Sequence, residues 1–398
     1  MIRKKHAIIW AAIITLTCCL ITFLLTSFGI RAMRNAEGEI YISNEQYNML
    51  SRYLELNEIE KLVGELFYRD MDPADLLTGA KRGLLYSLGD PYSAFFTKEE
   101  LASLYDKLDG VFTGIGIIIS PDKDSDAITI IKVYPNSPAE EAGIKEGDII
   151  AGVEGESVVG LDIETVAGKI RGPEGTIAIV TILRNNELMT KEIKRRTVEV
   201  DRAAYQMLDD QIGYINIFEF TGNSVDIFKQ AMESIQKEGA QALIIDVRGN
   251  PGGRLEDVRA IADLLLPEGI IYYTVNRNGE KTVKQSSAQF WDIPLVVLVN
   301  GQSASASEIL AGAIQDFDRG TIVGEKTFGK AVVQEIISIP KTGEGLKITT
   351  AVYYTPNGRM INGIGIEPDV IVTQAGSGIE DDLQLLEAIK ILKELLQS

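Results

Sequence analysis

The strongest constraint on this chain is an alternation that begins at Ile212. Aliphatic and β-branched runs at 212–218, 242–247, 295–299 and 321–323 alternate with helical patterns near 224–238, 254–266 and 305–316. A strand that is apolar at successive positions must be covered on both faces. Strands separated by a helix of a dozen residues pair in parallel. The segment therefore predicts a mainly parallel sheet flanked by helices on both sides. Further strands are expected at 332–339 and 346–354, and a Leu- and Ile-rich helix at 379–396.

Upstream the texture differs. Residues 44–106 are helical in pattern, and Ile59, Leu62, Val63, Leu66 and Phe67 form one apolar stripe at i, i+3, i+4, i+7 and i+8. Gly89-Asp90-Pro91 breaks this region, and Thr97 with Glu100 three residues later marks a new helix start. Residues 110–200 are rich in β-branched runs, at 115–119, 128–133, 149–153 and 177–183, with two short helices. The first is bracketed by Ser137 as N-cap and Gly143 as stop, and the second carries Ile163, Val166, Ala167 and Ile170. Charge defines a third region. Residues 7–30 hold no charged side chain, and as a helix they would span about 36 Å, enough for a bilayer core. A cleaved signal peptide has an apolar region of only about 7–15 residues. A retained transmembrane anchor at 7–30 is therefore expected, and Arg3, Lys4 and Lys5 place residues 1–6 in the cytoplasm and the body outside it.

That body is acidic and chemically restricted. Of 39 Lys+Arg, three precede residue 31, leaving 36 against 57 Asp+Glu, a net charge of −21. Such a surface repels phosphate backbones, so nucleic-acid binding is excluded as a general role. The single histidine is His6, and the two cysteines, Cys18 and Cys19, lie in the apolar run. From residue 31 onward no thiolate, disulfide, His/Cys metal site or Ser-His-Asp triad is available. A catalytic base there must be a carboxylate, a lysine or a tyrosine.

Two segments in the C-terminal half carry chemistry. The first, Ser303-Ala-Ser305-Ala-Ser307-Glu308, joins a buried strand to a helix. The first N–H groups of that helix are unpaired, so a serine there can act as a nucleophile beside an oxyanion hole. Three serines competing for one N-cap is the plainer alternative. The second, Gly324 to Gln334, spells G-x-x-x-x-G-K at its start. A phosphate loop would need Ser or Thr after the lysine, and the residue is Ala331. A lysine can serve as base once burial disfavours its ammonium form. Phe328, Val332 and Val333 are the neighbours expected to supply that burial.

Residues 107–198 resemble a PDZ domain through Thr113-Gly114-Ile115-Gly116-Ile117, the Ser137 to Asp148 stretch and the 161–170 helix. The resemblance implies that Thr113, Gly114, Ile115, Gly116 and Ile117 bind the terminal carboxylate and backbone of an extended peptide. Arg171 is a candidate regulatory contact, or a solvated turn residue. The wider pattern resembles the carboxyl-terminal processing peptidases, or tail-specific proteases. It comprises Asp90-Pro-Tyr-Ser93, the PDZ-like unit, Asp246-Val-Arg-Gly-Asn-Pro-Gly-Gly253, the two segments above and Gly365-Ile-Glu-Pro-Asp369. That resemblance implies a Clp protease/crotonase-like α/β core at 199–375, after the helical region (44–106) and the PDZ-like domain, with a C-terminal helix at 376–398. It assigns Ser305 as nucleophile, Lys330 as general base and Gln334 as the residue that orients the lysine.

The implied oxyanion donors are the Ala306 N–H and an N–H of Gly252 or Gly253. Contact between Lys330 and Gln334 requires a helical turn or bulge at 330–334, since an extended strand would part them by about 13 Å. Gln302, Ala331, Arg254 and Met360 depart from the family pattern without touching those three residues. The expectation is a serine endopeptidase in the bacterial cell membrane that needs no cofactor or metal and acts on polypeptides with free C-terminal tails. The 59–67 stripe and the Leu383, Leu386, Ile389, Leu392, Leu395 and Leu396 stripe would pack on the core. Homodimerisation through both terminal regions is the alternative that the family implies. The rival readings are a non-catalytic PDZ scaffold and a crotonase-like acyl-thioester enzyme.

Overall fold

The structure is a computed structural model that describes residues 16–17, 42–121, 127–208, 211–373 and 382–397. Apart from Leu16 and Thr17, the expected anchor at 7–30 lies outside the described residues, as do residues 1–6 and 122–126. Among the described residues no helix is long and apolar enough to cross a membrane. The chain divides into two compact units, Met1–Gly83 and Leu84–Ser398.

In the first unit the helix Asn44–Leu66 begins at Ser43. The Ser43 hydroxyl accepts the Gln46 N–H, and the Gln46 side chain accepts the Ser43 N–H. Its apolar stripe is not packed: Ile59, Leu62, Leu66 and Phe67 are all exposed.

In the second unit the predicted alternation builds a six-stranded sheet. Its order is Ala203–Leu208, Ile212–Ile217, Ala242–Asp246, Leu295–Val299, Thr321–Gly324 and Val370–Ile371. The first pair is antiparallel and every later pair is parallel. Alternate residues of each strand face opposite layers. Leu243, Ile245, Val297 and Val299 point into a core with Phe228, Val258, Ile261 and Leu310 of the helices Ser224–Lys237, Leu255–Asp263 and Ala306–Asp316. Ile244, Val296, Leu298 and Val323 face Ala388 and Leu392 of the C-terminal helix Leu383–Gln397. The packed stripe of that helix runs through Leu385, Ala388, Ile389, Leu392 and Leu396, while Leu383, Leu386 and Leu395 are exposed. The strands Ala242–Asp246, Leu295–Val299 and Thr321–Gly324 all end on one side of the sheet, where parallel α/β sheets place their ligands.

The strands Val332–Ser338 and Gly345–Tyr354 do not extend this sheet. No helix separates them, so they pair antiparallel. With Ala94–Phe96, Gly269–Asn276 and Lys281–Ser286 they form a second, five-stranded sheet.

The β-rich region folds around its own core, which includes Ile115, Ile130, Ile150, Val166, Val180 and Ile182. Its sheet runs Ile117–Pro121, Ile128–Val133, Ile149–Val153, Ile177–Arg184 and Glu187–Lys194, with Glu156–Ser157 on the third strand. Ile117–Pro121 is an edge strand, and the helix Ile163–Ile170 packs beside it. Val111–Gly114 pairs instead with Arg196–Glu199.

Candidate active site

Ser305 sits at the junction of strand and helix with φ 56° and ψ −111°. A side chain other than glycine enters this left-handed region at a cost of about 1–3 kcal/mol. The surroundings hold it there. Its carbonyl accepts the Glu308 and Ile309 N–H groups at 2.9 and 3.0 Å, and its N–H donates to Glu308 Oε2 at 2.9 Å. Its hydroxyl donates no hydrogen bond among the described residues. The other two serines are committed. Ser303 Oγ donates to the Val247 carbonyl at 2.8 Å and accepts the Asn300 N–H at 3.0 Å, while Ser307 Oγ donates to the Asn250 carbonyl at 2.9 Å. The competition among three serines thus resolves by geometry: among the described residues, only the Ser305 hydroxyl of the three donates no hydrogen bond.

Glu308 is fully buried and joins the two chemical segments. Oε1 accepts from Thr327 Oγ1 at 2.5 Å and Gly329 N at 2.7 Å. Oε2 accepts from Ser305 N at 2.9 Å and Lys330 N at 2.8 Å. Tyr353, also fully buried, bridges the same segments from the other side. Its hydroxyl lies 3.0 Å from the Ser305 carbonyl and 2.7 Å from that of Lys330. Sequence reasoning missed both residues. Ser-x-x-Glu at 305–308 has capping-box spacing, a signal that points to Glu308. Nothing local marks Tyr353, which arrives on a strand of the second sheet.

The Lys330 ammonium lies 4.6 Å from the centroid of the Tyr92 ring. Burial pushes Lys330 below the ordinary lysine range and the nearby Lys347 charge pushes the same way, while Asp90 and Glu308 pull against them. The burial does not come from Phe328, which is 57% exposed. It comes in part from the Gly89 to Ser93 turn, which carries Tyr92. Burial acts to raise Asp90, but hydrogen bonds from Ser93 and Thr349 prevail and hold its carboxyl low. Ser93 Oγ donates to Asp90 Oδ2 at 2.5 Å and accepts the Thr349 N–H at 3.1 Å, which ties the turn to the second sheet.

The expected bulge is present, between Val333 and Gln334 in a strand that starts at Val332. Among the described residues, no hydrogen bond joins Gln334 to Lys330. The Gln334 amide reaches Thr349 Oγ1 and the Val332 carbonyl, both at 3.4 Å. The reason is pairing: Gln334 stands opposite Thr349 in the ladder, and its side chain follows that register.

The oxyanion candidates separate. Ala306 is the first residue of its helix, and among the described residues its N–H has no acceptor. The Gly252 N–H is not free, because it donates to Asn250 Oδ1 at 2.8 Å. Gly252 supplies room instead: a Cβ there would stand 2.8 Å from Ser305 Cβ and 3.0 Å from Ala306 N. Gly253, by contrast, donates to no acceptor among the described residues.

Of the predicted peptide-binding residues, Thr113 and Gly114 are committed to the pairing with Thr197 and Arg196, and the Ile115 side chain is buried in the domain core. Gly116 has φ +84°, and a Cβ there would meet Ser137 Cβ at 2.3 Å, so its glycine is explained by packing. Only Ile117 begins the edge strand beside the Ile163–Ile170 helix. Arg171 is exposed at the C-cap of that helix and forms no ion pair among the described residues. The described residues hold no cluster of metal-ligating side chains.

A model of peptidase family S41 matches residues 211–372, and a PDZ domain model matches residues 129–184. The chain is 37% identical to the carboxyl-terminal-processing protease of Picosynechococcus sp. over 78% of each chain. It is 35% identical to the carboxy-terminal-processing protease of Bartonella bacilliformis, over 84% of this chain and 78% of that one. Among solved structures, the photosystem II D1 C-terminal processing protease superposes with a TM-score of 0.51 at 28% identity, over 85% of this chain and 96% of that one. The chain belongs to the carboxyl-terminal processing proteases of peptidase family S41, serine peptidases with a PDZ domain.

Proposed function

We propose that this chain is a membrane-anchored endopeptidase that cleaves exported proteins near their C-termini by a serine–lysine mechanism. One observation carries the reading. The one hydroxyl of the serine segment that donates no hydrogen bond among the described residues, on a strained Ser305, is clamped through Glu308 to the segment of a lysine whose ammonium form is disfavoured. In the proposed cycle Lys330 leaves the Tyr92 face as a neutral amine and takes the proton of Ser305 Oγ. Oγ adds to the scissile carbonyl, and the oxyanion is met by the Ala306 and Gly253 N–H groups. The protonated lysine then gives its proton to the leaving amine. Water hydrolyses the acyl-enzyme with the same lysine as base. Gln334 joins the lysine only if the 333–334 bulge rearranges when substrate binds.

The PDZ domain offers the edge strand Ile117–Pro121 and the helix Ile163–Ile170 as the two walls of a groove for the substrate's tail. Arg171, next to that groove, is the candidate gate contact. The charge-free run at 7–30 is the proposed anchor in the bacterial cell membrane, with the body outside the cytoplasm.

The deciding experiment is digestion of an unfolded polypeptide by wild type, Ser305→Ala and Lys330→Met, with fragment masses read. Wild type alone should cut. Equal fragments from all three would refute the mechanism, and a wild type that neither cuts nor reacts with a fluorophosphonate would leave a peptide-binding scaffold. Extraction of membranes at alkaline pH tests the anchor, since an anchored chain stays in the pellet. Light scattering tests the homodimer.

A further inference from the structure

Asn250 is a fully buried polar residue that the mechanism above leaves without a role. Its side-chain carbonyl accepts the Gly252 N–H at 2.8 Å, and its side-chain amide donates to the Ile217 carbonyl at 2.8 Å. Its main-chain carbonyl accepts the Ala304 N–H at 3.0 Å and the Ser307 hydroxyl at 2.9 Å. One residue therefore touches a core strand, the glycine loop and both flanks of the nucleophile.

The orientation of the next peptide follows from these contacts. The Gly252 carbonyl accepts the Phe220 N–H at 2.9 Å. The peptide is trans, so its N–H, that of Gly253, points the opposite way. Phe220 holds this unit on its carbonyl side, and Pro251 fixes one dihedral ahead of it. The bond from Gly252 N–H to Asn250 Oδ1 is the restraint on the nucleophile side.

We propose that Asn250 is a positioning residue for peptide hydrolysis: it locks the 252–253 peptide so that the Gly253 N–H, together with that of Ala306, faces the oxyanion formed at Ser305. The inference rests on the serine–lysine reading. It adds that the oxyanion hole is set by a buried amide that never touches substrate.

The test compares the full chain as wild type, Asn250→Leu and Asn250→Asp, using a peptide substrate and a peptide boronate that forms a tetrahedral adduct with serine. Asn250→Leu removes both side-chain hydrogen bonds and keeps the same branched heavy-atom skeleton. Its kcat should fall about 100-fold, the loss expected for one oxyanion donor. KM should stay unchanged, and boronate affinity should fall by the same factor as kcat. Asn250→Asp can restore both bonds only when protonated, accepting from Gly252 and donating to Ile217. Its kcat relative to wild type should therefore rise as pH falls. A folded Asn250→Leu with unchanged kcat and boronate affinity overturns the proposal, and so does a loss carried equally by KM. If Asn250→Leu fails to fold, Asn250→Ala takes its place, and unchanged kcat and boronate affinity in that variant overturn the proposal. Failure of the serine–lysine reading is separate: Ser305→Ala would then still cleave, and wild type would not bind the boronate.

Discussion

Replacing Glu308 by Gln exchanges one oxygen for an NH2 group and leaves the shape unchanged. Both native oxygens only accept, Oε1 from Thr327 and Gly329 and Oε2 from Ser305 and Lys330. An amide has one oxygen to offer. Its least costly orientation points that oxygen at the Ser305 and Lys330 N–H groups and the NH2 at Thr327, whose hydroxyl can accept. The Gly329 N–H then faces a donor. A buried N–H left without an acceptor costs about 1–3 kcal/mol. The opposite orientation strands the Ser305 and Lys330 N–H groups together and costs about twice as much by the same principle. Glu308→Gln should therefore lower unfolding stability by about 1–3 kcal/mol, read from urea denaturation followed by circular dichroism. The lost contacts are those that hold the Ser305 and Lys330 loops together, so under the proposed mechanism kcat should drop while KM holds. Glu308→Ala, which strands all four donors, should be worse on both counts. A Gln variant with the wild-type urea midpoint and the wild-type kcat would refute the clamp.

Three further outcomes are expected. Because Lys330 is held below the ordinary lysine value of 10.5, the unfolded chain binds more protons than the folded one between those two values. Stability conferred by Lys330→Met should thus be largest at neutral pH and fade as pH rises towards 10.5, while wild-type kcat/KM climbs through the depressed value; a flat rate profile would exclude Lys330 as base. Ser305→Gly should be more stable than Ser305→Ala by about 1 kcal/mol, since glycine enters φ 56° without strain, and identical melting curves would mean that the turn stores none. Arg248→Met leaves the 2%-exposed Asp246 side chain without its cation and unties Asp382 at the C-terminal helix, a loss of about 3–5 kcal/mol by urea titration. A change below about 1 kcal/mol would show that the helix does not depend on that pair.

The sequence made some of this site legible, and the limits have physical causes. Capping signals are local, so Thr97 with Glu100 and Ser137 with Glu140 appear where their spacing puts them. The fully apolar strands told of two-sided burial, and hydrophobic cores on both faces of the sheet answer it with Leu392 on one side and Leu310 on the other. Side-chain partnership across the chain was not readable. Gln334 pairs with Thr349 because of a register that only the folded hairpin defines. Tyr92 meets Lys330 across more than two hundred residues of sequence, and Tyr353 reaches two main-chain carbonyls that no motif encodes. The 59–67 stripe has perfect helical spacing yet stays exposed, because periodicity states which face is apolar and not what covers it.

What the folded site adds to the residue list is a division of labour among fixed charges. With no His or Cys from residue 31 onward, the base of the proposed mechanism is an amine, and an amine works only if its environment penalises the ammonium. A carboxylate in direct contact with the Lys330 ammonium would defeat that. Glu308 limits the conflict by spending both of its oxygens on main-chain N–H groups and the Thr327 hydroxyl, so it binds the lysine's backbone, and its charge opposes the burial of the ammonium only from a distance. Asp90 is likewise occupied by Ser93 and the Tyr92 N–H. The ammonium is left with an aromatic face at 4.6 Å, an attraction worth about 0.5–2 kcal/mol that favours the charged form. That is small enough for a bound peptide to overcome by displacing the amine from Tyr92 toward Ser305, and burial of the site by the same peptide strengthens the shift to the neutral base.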